Sequence, residues 1–368
     1  MARKRSSYRG CLLGLAVGDA MGYTVNSHSL KEIQEDYGPN GLQGYDPVNG
    51  YADITSCTQL AAFTANGLLY GLTMGRSKGT MSPFINYIAR SHWEWATSQA
   101  MMDRPARTVC WVFKEKELCR RHCIDTRMKE VILRKQFGTP EERNNSMTTS
   151  STLTTAVGAA MFYDPADMDK AEIVRLGMEA VALTHGDPMA FLPGAAVTEL
   201  VTAALLEPGQ GLETQIDQAL AAFTARFDPE YHRYVSQISN LVKMAQSMSR
   251  DPRISPMEAM EKLQCKTGAQ VLAGVIYALL SGGEDFDTSL IIAVNHSGAS
   301  AATGALVGAI LGARLGMDAL PEFYLECLEC RDALQELADD LYQGCPIESG
   351  DVFFDDDWDG KYCHGRRQ

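Results

Sequence analysis

The chain has 368 residues, 45% of them apolar, a formal net charge of −13 and an isoelectric point near 5.0. It is long enough to bury a substantial core in one large domain. The acidic balance argues against nucleic acid and anionic membranes as partners, because both require clustered Lys and Arg; the basic start at residues 2–9 is too short to change this. Neither an apolar run of membrane-spanning length nor a signal peptide is evident, so we expect a cytoplasmic protein.

Helical periodicity dominates the chain, and period-two alternation is scarce. Breaks coincide with turn residues, as at 38–41 and 138–140, and Pro83, Pro188 and Pro256 each follow a capping residue at a predicted helix start. In chain order the predicted helices are 8–24, 57–75, 80–102, 104–124, 125–137, 151–163, 168–184, 187–206, 211–226, 228–248, 255–262, 267–281, 284–294, 302–316 and 319–341. Because no linker or low-complexity segment divides the sequence, we predict one compact all-α domain over residues 1–368.

Ten cysteines are spread along the chain without the pattern of a disulfide framework. Two groups have short spacings: Cys119, His122 and Cys123, and the pair Cys327 and Cys330. Both lie in sequence that we predict to be helical, and neither has the Gly or Pro turn usual at a structural zinc site. We therefore expect thiols and not zinc ligands.

Four segments combine small and polar residues in a distinctive order. Residues 10–22 read GCLLGLAVGDAMG, residues 54–60 read ITSCTQL, residues 183–188 read LTHGDP, and residues 295–305 read NHSGASAATGA. The first and last belong to helices with Gly at every fourth position, so each carries a stripe of small residues along one face. Such stripes allow two helices to approach closely.

In this order, the four segments resemble the signature motifs of the ADP-ribosylglycohydrolase family over residues 8–320, which leaves 321–368 as a C-terminal extension of the same domain. The resemblance implies the family's all-α fold. It also implies a cleft in which a Thr-Asp-Asp run and an Asp-x-Asp-Ser/Thr turn hold two magnesium ions. A glutamate that helps to organise the catalytic water in the family aligns with Asn26 here.

The positions that match the family's metal ligands do not carry those ligands in this chain. Ser56 and Cys57 replace the carboxylates of the first run, and Ala299, Ala301 and Ala302 replace the two carboxylates and the hydroxyl of the turn. Magnesium prefers oxygen ligands and normally one or two carboxylates, and a thiol favours softer metals. We therefore expect no magnesium and no other cofactor, and without the metal its Lewis-acid chemistry is lost.

The resemblance and the polar turns together predict a ligand cleft. Helix N-termini attract phosphate without a metal, so ADP-ribose or a related nucleotide is the expected small ligand. The hydroxyl-rich residues 148–155 could instead fill that space. The residues that we predict to form the cleft are Asn26, Thr55, Ser56, Cys57, Asn145, Ser146, His185, Asn295, Ser297, Gly298 and Ser300.

Three functional hypotheses remain open from sequence. The first is a pseudoenzyme that keeps the fold for ligand binding, regulation or protein interaction. The second is a hydrolase of altered or metal-independent chemistry, with Asp19, Cys57 or His296 as candidate catalytic groups; a helix N-terminus can lower the pKa of a thiol such as Cys57. The third is a structural or oligomeric protein with an empty cleft and a protein partner.

Overall fold

The computed structural model describes residues 3–47, 50–102, 105, 107–121, 124–348 and 355–363. Across these residues the chain forms α-helices, two short 3-10 helices and two isolated β-bridges, and no strand. The predicted all-α fold is confirmed. In chain order the α-helices are α1 Arg5–Val25, α2 Leu30–Tyr37, α3 Ser56–Lys78, α4 Phe84–Gln99, α5 Thr126–Leu133, α6 Thr155–Phe162, α7 Lys170–Ala182, α8 Pro188–Leu206, α9 Leu212–Ser249, α10 Pro256–Leu263, α11 Gly268–Gly282, α12 Phe286–Val294, α13 Ser300–Leu315, α14 Glu322–Glu326, α15 Arg331–Gln343 and α16 Asp356–Tyr362.

The two helices with Gly at every fourth position, α1 and α13, pack against each other at the centre of the fold. A Cβ atom added to Gly14 would lie 2.2 Å from the carbonyl oxygen of Gly308, and one added to Gly18 would lie 1.9 Å from that of Gly304. Only glycine permits such a backbone approach. The pair runs antiparallel, so the first turn of α13 lies beside the last turn of α1.

Helix α8, Pro188–Leu206, is long and apolar enough to cross a membrane by length and composition, contrary to the expectation from sequence. Most of it is buried inside the fold, however, where it packs against α7, α9 and α11. Its apolar sequence is explained by this position, since a helix that is hydrophobic on all sides is typical of a protein core.

The predicted helix over 104–124 is wrong: its described part contains a 3-10 helix at Trp111–Lys114 and otherwise irregular chain. Side chains accept the backbone hydrogen bonds that a helix would have used. The buried carboxylate of Glu94 accepts from the N–H groups of Val109 (2.8 Å) and Cys110 (3.1 Å), and Asn66 accepts from Val112 (3.1 Å). Tertiary contacts thus override the helical pattern here.

The predicted helix over 319–341 is divided into α14 and α15. Between them, the Ala52 N–H donates to the Cys327 carbonyl at 2.9 Å, and Cys330 takes a left-handed backbone with φ of 54°. Cys327 and Cys330 are therefore not on one helical face as predicted, and Cys119 also lies outside a helix. His122 and Cys123 lie outside the described residues.

Two further predictions differ from the structure. The predicted helices 211–226 and 228–248 form one long helix, α9, which is interrupted at Tyr231 (φ −122°) shortly after Pro229. Proline supplies no N–H to the helical ladder, which weakens it at this point. Helices α2 and α16 were not predicted. The first begins at a capping box formed by Ser29 and Glu32, a signal that the sequence does contain.

Candidate functional site

The N-terminal ends of α3, α5 and α13 meet at a cleft of about 850 Å³. Two of the predicted motifs, 54–60 and 295–305, contribute adjacent walls. Predicted cleft residues and metal-ligand positions that line it are Asn26, Thr55, Ser56, Cys57, Ser297, Gly298, Ala299, Ala301 and Ala302. The cleft therefore lies where the two runs that we aligned with the family's metal-ligand motifs face each other.

Five other predicted residues occupy different places. Asn145 and Ser146 line a smaller neighbouring pocket with Arg127. His185, Asn295 and Ser300 are buried behind the cleft wall.

Sequence reasoning missed several lining residues, among them Tyr23, Ser27, Asp125, Arg127 and Lys266. Lys266 immediately precedes a capping box formed by Thr267 and Gln270 at the start of α11, which was a readable signal for a residue at a helix entrance. Asp125 and Arg127 lie outside the four motifs; the sequence predicted a helix from 125, and Asp125 caps α5 at that point, but nothing in the sequence indicated that this helix begins at the cleft.

Asp19 lies directly beneath the first turn of α3 and does not line the cleft. Its carboxylate accepts from the backbone N–H groups of Thr55 (2.8 Å) and Thr58 (3.0 Å) and from both of their hydroxyls, each at 2.6 Å. Burial raises the pKa of Asp19, and the four bonds from the two threonines oppose that shift. Its acceptor capacity is thus used to hold α3 against α1.

Cys57 lies in the first turn of α3 and is 5% exposed. Its backbone N–H donates to the Thr55 hydroxyl at 3.1 Å, and its carbonyl accepts from the Thr154 hydroxyl at 2.8 Å. Burial and, after it, the Asp19 carboxylate raise the pKa of the thiol well above its usual range. These effects outweigh the helix N-terminus, so at neutral pH Cys57 is a thiol and not a thiolate nucleophile.

His296 fixes the turn before α13. Its Nε2–H donates to the Ala293 carbonyl and its Nδ1 accepts from the Gly298 N–H, each at 2.9 Å. Burial lowers the pKa of His296 to about 4, so the ring is neutral at pH 7. Both ring nitrogens are occupied by the backbone, which leaves neither of them for acid or base catalysis.

The residues around this turn are tied to neighbouring loops. The Asn295 side chain accepts from the Leu42 N–H at 2.7 Å and donates to the Leu42 carbonyl at 2.9 Å. The Ser297 hydroxyl accepts from the Leu30 N–H at 2.8 Å, and the Ser300 hydroxyl donates to the His296 carbonyl at 3.1 Å. These contacts shape the cleft wall and join the start of α2 to the start of α13.

His185 organises the hydroxyl-rich wall. Its Nδ1 is within 3.0 Å of the Thr152 hydroxyl, and its Nε2 is 2.9 Å from the Thr149 hydroxyl and 3.0 Å from that of Ser151. Burial lowers the pKa of His185 to about 4, so the ring is a neutral member of this network. Thr149 and Ser151 line the cleft. Their hydroxyl groups therefore lie on the cleft wall, and the hydroxyl-rich segment does not fill the cleft.

The side chains at the positions that align with the family's metal ligands do not fit magnesium. The side chains at 56, 57, 299, 301 and 302 supply one hydroxyl, one buried protonated thiol and three methyl groups. Asp125 is the one carboxylate on the described cleft lining, and it caps α5 by accepting from the N–H groups of Arg127 (2.9 Å) and Met128 (3.4 Å). Within the described ranges, no group of three or more His, Cys, Asp or Glu side chains is placed to hold a metal ion.

The cleft instead offers donors and positive charge. Among the described residues, the N–H groups of Ser56 and Ala302, in the first turns of α3 and α13, have no hydrogen-bond partner. The adjacent Ala301 N–H donates to the side-chain oxygen of Asn26 at 3.4 Å. Lys266 and Arg127 line the same cleft and are exposed. Helix N-termini and basic side chains together favour an anionic ligand.

The chain belongs to the ADP-ribosylglycohydrolase family, because that family's model matches residues 1–349. A protein of Archaeoglobus fulgidus, described as an uncharacterized protein, is 26% identical over 347 residues, which covers 91% of this chain and 96% of that protein. Among solved structures, a chain of an ADP-ribosylglycohydrolase-related protein complex has a TM-score of 0.57 and 20% identity, with 93% of this chain and 98% of that one covered. At this identity the structural likeness shows the fold.

Proposed function

We propose that this protein is a non-hydrolytic member of the ADP-ribosylglycohydrolase family that binds ADP-ribose or a related nucleotide in its cleft without a metal. One observation carries the proposal: the residues at the family's metal-ligand positions face one cleft, and they bring no carboxylate to it. The surrounding architecture is retained, including the close packing of α1 and α13 that sets the position of the turn at 295–299.

Metal-free binding of a diphosphate is supported by the charges at the cleft. The unpaired Ser56 and Ala302 amides supply hydrogen-bond donors, and Lys266 and Arg127 supply positive charge that the Asp125 carboxylate, 3.9 Å from Arg127, offsets only in part. A phosphate oxygen can accept from such amides without an intervening cation. The cleft volume of about 850 Å³ also lies within the range of roughly 300–1,000 Å³ usual for small-molecule sites.

The state of the candidate catalytic groups supports the absence of hydrolysis. Cys57 is a buried thiol, His296 has both nitrogens bonded to backbone, and Asp19 is saturated by Thr55 and Thr58. None of them is placed to activate a water molecule in the cleft. A general base must be able to reach the proton that it removes, and these three groups hold the cleft walls instead.

The test is thermal unfolding with ADP-ribose, NAD or ADP, each with and without Mg²⁺, alongside an assay for ADP-ribose release from a modified protein. A ligand at a hundred times its dissociation constant stabilises by about 2.7 kcal/mol, which for a chain of this size raises the Tm by roughly 3 °C. We expect a Tm increase with ADP-ribose that does not depend on Mg²⁺, and no release. Mg²⁺-dependent release would refute the proposal.

The same experiment distinguishes nucleotide binding from the alternative function, in which the cleft is empty and the protein acts by binding a protein partner. In that case no nucleotide would change the Tm, and a partner would be sought by co-purification. The name of the structural relative refers to a protein complex, and this is the observation that favours a protein partner.

A further inference from the structure

A second pocket, of about 260 Å³, lies on the other side of Tyr23 from the cleft. We call it the tyrosine pocket. Its polar and aromatic lining consists of Tyr23, Thr24, Tyr37, Tyr45, Asp46, Tyr51 and Asp53. No Lys, Arg or His from the described part of the chain lines it. Its composition is therefore opposite to that of the cleft, in which Lys266 and Arg127 take part.

The negative charge of the tyrosine pocket is only partly balanced. Asp53 pairs with Arg120 at 3.0 Å, and Arg120 also pairs with Glu329 at 2.7 Å. Asp46 forms no ion pair with a described residue and accepts a hydrogen bond from the Tyr37 hydroxyl at 2.9 Å. Burial, followed by the bond to Asp46 and its charge, raises the pKa of Tyr37 to about 12. A carboxylate thus remains without a cation at the edge of an aromatic pocket.

The aromatic side chains of the pocket are held at different depths. Tyr45 packs edge-on against Tyr324, with ring centroids 4.8 Å apart, and its hydroxyl is buried without a hydrogen-bond partner among the described residues. Tyr51 is 62% exposed at the rim. A buried unpaired hydroxyl is unfavourable unless a ligand or water supplies its partner, and an exposed aromatic ring is available for contact.

We propose that the tyrosine pocket binds an organic cation, an alkylammonium or guanidinium group, independently of what the cleft binds. The faces of tyrosine rings attract such cations, and several rings around one position form the kind of cage that recognises them. The Asp46 carboxylate supplies the opposite charge. A small divalent metal is a poorer match, because it would require several oxygen ligands in place of rings.

The test compares choline with 3,3-dimethyl-1-butanol, which has the same shape and no charge, by calorimetry or by chemical-shift changes of the tyrosine rings. We expect the full-length protein to bind choline and to bind the neutral alcohol at least tenfold more weakly. Equal binding of the two, or no binding of choline and of methylguanidinium, would overturn the proposal. A third probe, the N-acetyl methylamide of trimethyllysine, separates a protein side chain from a free small molecule as the source of the cation.

Two variants assign the binding to this pocket. Asp46→Asn removes the unbalanced charge, and we expect it to weaken choline binding about tenfold, the loss that follows from one charged interaction. Tyr51→Ala removes the exposed ring, and we expect it to weaken choline binding about two- to fivefold, as for one exposed contact between a cation and a ring. Asp36→Asn is the matched control, since Asp36 is exposed, adjacent to Tyr37 and absent from the lining. Choline binding unchanged in both pocket variants would place the cation elsewhere.

Discussion

Replacement of Asp19 tests whether this carboxylate holds the cleft together or acts in it. In Asp19→Ala, two backbone N–H groups and two hydroxyls lose their acceptor in a fully buried position. The hydroxyls can turn towards other acceptors, but the N–H groups of Thr55 and Thr58 cannot. At about 1–3 kcal/mol for each unsatisfied buried donor, we expect a loss of roughly 4 kcal/mol in the free energy of unfolding.

Asp19→Asn is the informative partner of that variant. Oδ2 of Asp19 accepts three of the four bonds, from both N–H groups and the Thr58 hydroxyl, whereas Oδ1 accepts only from the Thr55 hydroxyl. An asparagine oxygen in the Oδ2 position can keep the three, and its NH₂ can donate to the Thr55 hydroxyl once that hydroxyl turns. The lost charge weakens these bonds, but burial of the side chain becomes less costly. We expect a loss of only about 1–2 kcal/mol.

Denaturant unfolding of both variants, followed by nucleotide binding to Asp19→Asn, measures these effects. Asp36→Ala, at an exposed position in α2, controls for the removal of one acidic residue. The structural role predicts that Asp19→Ala is several kcal/mol less stable than Asp19→Asn, and that the latter keeps its nucleotide affinity. Equal stability of the two variants, or an Asp19→Ala protein within about 1 kcal/mol of the wild type, would refute the reasoning; the threshold is the size of one ordinary hydrogen bond.

Three further predictions follow from the site and its supports. The pKa of His296 is about 4 in the folded protein and near 6.5 when unfolded, so its contribution to stability is complete above pH 6.5 and falls by about 3 kcal/mol as the pH decreases to 4; pH-dependent unfolding of His296→Gln should show a shallower slope than the wild type. Lys266→Ala should weaken ADP-ribose binding by about five- to tenfold, whereas Lys262→Ala, outside the cleft, should not. Calorimetry at two salt concentrations measures both affinities, and an equal affinity of the two variants for ADP-ribose would contradict the role of Lys266. Gly308→Ala should destabilise by roughly 3 kcal/mol or more in thermal unfolding, because its Cβ would lie 1.9 Å from the Gly14 carbonyl oxygen and the obstructing atom is backbone; a fully stable variant would show that the two helices can separate.

The sequence predicted close helix packing at the centre of the fold but not the partners. The Gly stripes indicated that each helix can approach a neighbour closely, and the structure shows that the two striped helices, α1 and α13, are each other's neighbours, with Gly14 against Gly308 and Gly18 against Gly304. The periodic pattern also predicted the all-α class. It failed at 104–124, where apolar residues point into the core from irregular chain. The sequence of this segment alone does not indicate that Glu94, in α4, accepts hydrogen bonds from the N–H groups of Val109 and Cys110.

The sequence indicated which two motifs line the candidate site, but it did not indicate which charged side chains do. Matching motifs at 54–60 and 295–305 predicted that Ser56 and Ala301 lie close together, and both line the cleft. Lys266 and Arg127 were missed because they belong to segments outside the four motifs, and only the tertiary fold brings them to the same opening. Likewise, Cys57 was considered as a nucleophile from its helix position, whereas the depth of burial that raises its pKa depends on the whole fold.

All four carboxylates that the family resemblance implies are absent from this chain, and their joint absence affects the charge of the cleft differently from the loss of one. The resemblance implies four carboxylates balanced by two divalent ions, so losing the acids and the metals together leaves the charge of the cleft nearly unchanged. Loss of the metals alone would leave four adjacent negative charges facing a phosphate, which is strongly unfavourable. In this chain the buried Asp19 carboxylate behind the cleft is surrounded by four donors. The cleft lining carries Lys266 and Arg127 against a single carboxylate, Asp125, which is 3.9 Å from Arg127. This distribution of charge supports the proposal that the cleft binds a diphosphate without a metal, because the positions that align with the family's metal ligands bring no carboxylate to the cleft.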